Sequence, residues 1–177
     1  MWPAEADDRP TTPARAPAAG LAYVIRTDGA ARGNPGPASL GAVLLDASRP
    51  DARDPRAVPD ATISEYLGVQ TNNVAEYTGV VRALALATEL GAGEVHLLLD
   101  SKLIVEQLAG RWRVKDAKLI PLNAQARRSL AGFERWTAAH VPRAQNALAD
   151  ALANEAIDRV AAGGAPVVVQ RPARQRP

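Results

Sequence analysis

Apolar and polar positions change period along the chain, and these changes divide it into successive strands and helices. Short apolar and β-branched runs at 21–28, 39–46 and 61–69 predict three strands. A Gly- and Pro-rich turn separates the first two, and a polar, proline-broken loop separates the second and third. Because no helical pattern lies between them, we expect an antiparallel meander.

After Gln70 the apolar period becomes that of a helix. The spacing over 72–90 predicts a helix with one apolar face, and Thr71 or Asn72 suits its N-cap. Gly91 and Gly93 are expected to end it. The wholly apolar run that follows predicts a strand covered on both faces.

The second half of the chain alternates helices with strands. The predicted elements are a strand at 95–100, helices at 101–109 and 119–131, a fifth strand at 133–141 and a last helix from about 147 to 161. Asn146 suits the N-cap of the last helix. The order predicts an α/β fold: a five-stranded mixed sheet, three antiparallel strands followed by parallel additions, flanked by helices.

The two ends of the chain lack the periodicity of the middle. Residues 1–20 are rich in Pro and Ala and predict a disordered leader, with neither a signal peptide nor a membrane anchor, so a cytoplasmic protein is expected. Residues 21–162 form the predicted domain. Residues 163–177 predict a disordered tail or a linker to a second domain, although their VVV run is also compatible with an edge strand.

The overall charge says little about function, but the distribution of charge along the chain is informative in one segment. The 177 residues carry a net charge of +2 and no cysteine, which excludes disulfides and thiolate metal sites. The segment 102–128 has an excess of five positive charges, a pattern typical of a phosphate-facing surface and also of a solvated helix face. Its basic residues are Lys102, Arg111, Arg113, Lys115, Lys118, Arg127 and Arg128.

Four carboxylates lie at ends of predicted strands or starts of predicted helices. Asp28 and Asp100 end strands, whereas Glu76 and Asp150 lie in the first turns of helices. Considered alone, Asp28 is explained by a turn, and Glu76 and Asp150 are explained by a favourable interaction with the helix dipole. Asp100 is different, because a charge that ends an apolar strand needs a partner. Acids gathered together repel one another unless a cation neutralises them, which favours a magnesium site with oxygen ligands.

Four stretches of the sequence resemble ribonuclease H of type 1, in its compact bacterial and archaeal branch. They are DGAARGNPGPA, TNNVAEYTGVVRAL, the strand end LLLDS and the closing HVPRAQNALADALANEA. The resemblance extends from about residue 21 to 160. It implies a ribonuclease H-like fold and endonucleolytic hydrolysis of the RNA strand of RNA–DNA hybrids with two magnesium ions, for which manganese is expected to substitute. The expected products carry 3′-hydroxyl and 5′-phosphate ends.

The resemblance also implies roles for individual residues. Asp28, Glu76, Asp100 and Asp150 correspond to the four metal-binding acids, with Asp28 expected to bridge the two ions. Arg143 lies where the larger branch of the family has a catalytic-loop histidine. We expect Arg143 to take the role of that histidine. The expected substrate-binding residues are Gly33, Asn34, Thr71, Asn72, Asn73, Lys102, Arg113 and Lys115.

Three features leave alternatives open. Thr71 and Asn72 are compatible with simple helix capping as well as with substrate binding. His140 suits a strand-end residue better than a catalytic one. Trp112 suits either stacking on the substrate or core packing. The alternative functions are a nucleic-acid-binding module and a DNA nuclease of the same fold, but all four acids are present. The expected partner is an RNA–DNA hybrid. The protein is expected to be a monomer and not to associate with a membrane.

Overall fold

The computed structural model describes residues 20–173. The predicted elements are present, with ends shifted by a few residues, and a 3₁₀ helix and a sixth strand are added. In chain order the elements are β1 (Ala22–Ala31), β2 (Gly36–Asp46), β3 (Ala61–Gln70), α1 (Asn72–Glu89), β4 (Glu94–Leu99), α2 (Lys102–Leu108), α3 (Leu119–Ala131), β5 (Arg135–His140), the 3₁₀ helix (Arg143–Asn146), α4 (Ala147–Ala161) and β6 (Val167–Gln170).

The six strands within residues 20–173 form one mixed sheet in the order β5-β4-β1-β2-β3-β6. The β1–β2 and β2–β3 pairs are antiparallel, as the meander predicts. Strand β4 adds parallel to β1 and β5 adds parallel to β4. The α/β class and the mixed topology are therefore confirmed.

The prediction of five strands followed by a disordered tail is wrong at β6. This strand pairs antiparallel with β3 over Thr62–Glu65, at the edge of the sheet. The Arg159 side chain from α4 donates to the Ala165 carbonyl at 2.6 Å and to the Ser64 carbonyl at 2.9 Å, which holds the connection against β3. The predicted leader at 1–20 lies, apart from Gly20, outside the described residues.

The sheet has an apolar core on each face. Helix α1 covers one face with α3 packed against it, and Ile25, Leu84 and Leu130 are buried together there. Helix α4 and the β2–β3 loop cover the other face, where Val24 is buried and Leu152 packs against it. Neighbouring residues of β1 serve opposite cores because side chains alternate along a strand. Both helix layers therefore meet β1, the central strand.

Helix α4 lies unusually close to the sheet. A Cβ atom at Gly41 of β2 would collide with the α4 main chain, so only glycine permits this approach. The Ser39 hydroxyl donates to the Ala153 carbonyl of α4, and the Ser64 hydroxyl donates to the Leu152 carbonyl at 2.7 Å. These contacts fix the position of α4 on the sheet, and with it every side chain that α4 directs toward β1.

Candidate active site and metal centre

The four predicted acids come from four different elements. Asp28 lies in β1, Asp100 follows β4 directly, and Asp150 lies in the first turn of α4. Because β4 runs parallel to β1, Asp28 and Asp100 meet at the same end of the sheet. We expected Glu76 in the first turn of α1. It is instead the fifth residue of that helix. The helix dipole therefore does not account for Glu76.

Three of these carboxylates converge closely. One oxygen from each of Asp28, Glu76 and Asp100 lies within 4.8 Å of the others. Asp150 approaches from α4, near enough to hydrogen-bond with Asp28 when one of the two is protonated. Glu76 and Asp100 also line a pocket of about 10 Å³ beside Thr27. A space of this size accommodates about one water-sized species.

The cluster carries a strong electrostatic penalty. Burial, followed by the charges of Asp100, Asp150 and Glu76, raises the pKa of Asp28 from 3.8 to about 8. Burial and Asp100 raise the pKa of Glu76 from 4.5 to about 7, although a hydrogen bond from Asn72 opposes the rise. The folded chain thus holds carboxylates in a place where their charged forms are disfavoured.

The donor set fits a hard divalent cation. All of its contributing atoms are carboxylate oxygens, which are the ligands that magnesium and manganese prefer. A cation among them would relieve the repulsion that raises the pKa values of Asp28 and Glu76. The nearby His140 ends β5 and places its Nε2 atom 3.1 Å from the main-chain oxygen of Asp100, so it suits the predicted strand-end role.

Arg143 opens the 3₁₀ helix in the connection between β5 and α4. Its exposed guanidinium acts on the acid cluster, because its charge lowers the pKa of Glu76. Asn146 occupies the N-cap position of α4, as predicted, but its side chain makes no capping bond. It is buried and instead donates through Nδ2 to the Thr27 carbonyl at 2.7 Å. The connection is thus fastened to β1 beside Asp28.

The first group of predicted substrate-binding residues gathers beside Glu76. Gly33 adopts a φ of +94° in the turn after β1, and Asn34 accepts a hydrogen bond from the Asn72 main-chain N–H at 3.1 Å. Thr71 is the N-cap of α1, which confirms the capping interpretation for that residue. Asn73 is exposed in the first turn of α1. This turn and the start of α1 form one polar surface next to the acids.

The second group lies on the basic segment after α2. Lys102, Arg113 and Lys115 are all exposed. Trp112 is 46% exposed, which excludes the core-packing interpretation, and the Lys102 ammonium lies 5.9 Å from the centre of its ring. Trp112 and Arg113 line a cleft of about 720 Å³, to which Arg127 of α3 adds another positive charge.

Two polar residues near the acids in the fold or in the sequence were not predicted to take part in the site. Asn154 donates to Asp150, to its main-chain oxygen at 3.0 Å and to Oδ1 at 3.4 Å. The four-residue spacing on a predicted helix was a signal for this pair. Arg26 is a charged residue within the otherwise apolar run of β1, and it is 2% exposed. That mismatch was also visible in the sequence.

Comparison with known proteins places this architecture in a family. A family model described as "Reverse transcriptase-like" matches residues 26–156. Bifunctional protein Rv2228c of Mycobacterium tuberculosis is 45% identical over 145 residues, covering 82% of this chain and 38% of that protein. Ribonuclease HI of Halobacterium salinarum is 44% identical over 131 residues, covering 74% of this chain and 62% of that protein. The chain thus spans less than two thirds of each relative.

A solved structure gives the same result. The crystal structure of LC11-RNase H1 in complex with RNA/DNA hybrid superposes with a TM-score of 0.70 at 38% identity, covering 78% of this chain and 99% of that one. The chain therefore belongs to the ribonuclease H type 1 family, as its motifs indicate. No helix within residues 20–173 has both the length and the apolar character to cross a bilayer.

Proposed function

We propose that this chain is an endonuclease that hydrolyses the RNA strand of RNA–DNA hybrids and leaves 3′-hydroxyl and 5′-phosphate ends. The observation that carries the proposal is the convergence of Asp28, Glu76 and Asp100 within 4.8 Å, with Asp150 against Asp28. Named ribonuclease H relatives and a related enzyme that is bound to a hybrid support it.

We further propose that Asp28, Glu76, Asp100 and Asp150 hold two magnesium ions, with manganese able to substitute. Bound divalent cations at such a site activate water and stabilise charge on a phosphodiester. Asp28, on which the charges of the other three acids act, would help to hold the ions, and its bridging role stays a prediction. The other carboxylates complete the negative surface, and Asn154 orients Asp150 through its two contacts.

The protein's own side chains account for the choice of RNA. A 2′-hydroxyl both donates and accepts hydrogen bonds, so the Glu76 carboxylate and the amides of Asn34 and Asn72 suit it. A DNA strand would leave these polar groups unpaired, at about 1–3 kcal/mol each when they are buried by substrate. Gly33 allows the close approach of a nucleic acid backbone.

Positive and polar groups near the acids are suited to bind the other parts of the hybrid. Thr71 and Asn73 lie at the start of α1, where we expect the DNA strand. Lys102, Arg113 and Lys115 supply the charge that binds its phosphates, a contribution that weakens as salt rises. Arg143 supplies positive charge beside the cluster, at the position of the family's catalytic-loop histidine.

A labelled hybrid tests the proposal directly. With magnesium, the native chain should cut only the RNA strand, and Asp100→Asn should bind the hybrid but cut it at least about a hundredfold more slowly, since it keeps the size of the side chain but loses a cation-binding charge. RNA and DNA duplexes of the same sequence serve as controls. Equal cutting of duplex DNA would favour a DNA nuclease, and binding without cutting in magnesium or manganese would favour a binding module.

Three features of the whole protein stay predictions. These are a cytoplasmic location, a monomeric state and a fused C-terminal domain. The third is motivated by the relative named a bifunctional protein, of which this chain spans 38%.

A further inference from the structure

Arg26 is a fully buried arginine in the middle of the central strand. Its guanidinium donates from one terminal nitrogen to the Arg53 carbonyl at 2.9 Å and from the other to the Gln145 carbonyl at 3.3 Å. Arg53 lies in the β2–β3 loop, and Gln145 lies in the 3₁₀ helix that precedes α4. One side chain of β1 thus joins two segments that are far apart in sequence.

The next residue of β1 holds the same 3₁₀ helix a second time. The Thr27 carbonyl accepts the hydrogen bond from the buried Asn146 side chain at 2.7 Å. Arg26 and Thr27 therefore fasten Gln145 and Asn146, and the residue after Thr27 is Asp28. The anchor of the connection and the centre of the acid cluster are consecutive positions of one strand.

A buried guanidinium is a costly way to fill this space. Within residues 20–173 the Nε atom of Arg26 has no hydrogen-bond partner, although the side chain is buried. An apolar side chain in such a place is often as stable as a charged one. The surroundings on this face are apolar, with Val24 and Leu98 buried nearby on the sheet. Packing alone therefore does not account for arginine here.

We propose that Arg26 is a positioning residue that holds the β5–α4 connection, and with it Arg143, in place against the acid cluster. The proposal rests on the proposed function for its catalytic consequence. Arg143 lies two residues before Gln145, whose carbonyl accepts from Arg26, and both residues belong to the same 3₁₀ helix. Without Arg26, the connection keeps the Asn146 anchor but loses its second attachment, so the guanidinium of Arg143 samples a wider range of positions.

Kinetics on a hybrid substrate separate positioning from stability. Arg26→Met keeps a long side chain but removes both donors, and kcat should fall by about tenfold with KM unchanged, as expected for a displaced catalytic group. Arg26→Lys, which keeps a charged donor at the end of the side chain, should recover part of the loss. Arg159→Met is the matched control, because Arg159 also bonds two main-chain carbonyls but lies at the far end of α4. It should leave kcat unchanged.

A double substitution and hydrogen exchange complete the test. If Arg26 acts through Arg143, adding Arg26→Met to Arg143→Ala should cause no further fall in kcat. Amide exchange should quicken in peptides covering 141–147 in Arg26→Met and not in Arg159→Met.

Three results would overturn the proposal. They are amide exchange over 141–147 that is no faster in Arg26→Met than in the native chain, additive losses of kcat in the double variant, and a rise in KM without a fall in kcat. If Arg26→Met does not fold, the lysine variant decides by the same measurements. If the native chain cuts no hybrid, the proposed function fails, whereas hydrogen exchange still decides whether Arg26 holds the connection.

Discussion

The acid cluster opposes folding when no cation is bound, and this opposition can be measured with one substitution. Asp28→Asn keeps the shape of the side chain and removes the charge that burial, Asp100, Asp150 and Glu76 disfavour. We therefore expect the variant to be more stable than the native chain in the presence of a chelator, although the substitution removes a proposed catalytic group.

The pKa of Asp28 sets both the sign and the size of the effect. It rises from 3.8 to about 8 in the folded chain. Between these values the folded chain holds a proton that the unfolded chain releases, so the free energy of unfolding falls as pH rises. At about 1.36 kcal/mol per pKa unit, the full penalty is on the order of 5 kcal/mol at about pH 8.

The neighbouring acids share this repulsion and still repel one another in the variant. We therefore expect Asp28→Asn to recover about 2 kcal/mol at pH 8, which is roughly 5 °C in Tm for a chain of this size. Near pH 4 the gain should be small, because Asp28 is then protonated in the folded chain and pH 4 lies close to its unfolded-state pKa of 3.8.

Thermal unfolding in a chelator at pH 4, 6 and 8 measures the effect. Asp158→Asn is the control, because the ion pair with Arg32 lowers the pKa of Asp158, and that substitution should give no stabilisation. Magnesium should reduce the advantage of Asp28→Asn, since a bound cation stabilises only the charged cluster. A loss of stability at pH 8, or a gain that does not grow with pH, would refute the reasoning.

Three further predictions concern the surroundings of the site. Gly29→Ala places a Cβ against the α1 main chain at Glu76, so it should push α1 away from β1. Both Tm and hybrid cleavage should fall, which thermal unfolding and activity assays on the same preparation would measure. Tyr77→Phe removes the hydroxyl that donates to Gln107 at 2.5 Å and accepts from Asn123 at 3.2 Å, and should cost about 1–3 kcal/mol in denaturant unfolding, because these partners are buried. Trp112→Ala should leave Tm unchanged and raise KM for hybrid several-fold if the exposed ring stacks on substrate, and an unchanged KM would contradict that role.

The meander, the helices and the convergence of the acids could be predicted because their signals are local. Each of Asp28, Glu76 and Asp100 stands next to a strand or helix whose period is readable, and the family motifs surround them. The start of α1 at residue 72 was predicted correctly, and Glu76 was wrongly assigned to the first turn although four residues of that helix precede it.

The parts that could not be predicted depend on distant partners. Strand β6 is four residues long and becomes a strand by pairing with β3, far earlier in the chain. Asn146 looked like a helix cap because its sequence position suits one, but the fold places the Thr27 carbonyl within its reach. The bonds of Arg26 to Arg53 and Gln145 likewise exist only after both connections are in place.

The close seating of α4 on the sheet has a consequence for how this sequence can vary over evolution. The Gly41 main chain, rather than a flexible side chain, sets the distance between α4 and β2. Ala149 and Ala153 of α4 are fully buried, so larger residues there have no free volume to enter. Drift at these positions is restricted to the smallest residues, whereas the exposed residues of α4, such as Glu155, are free to change. In a library of variants selected for activity, α4 should therefore accept many substitutions on its outer face and almost none toward the sheet.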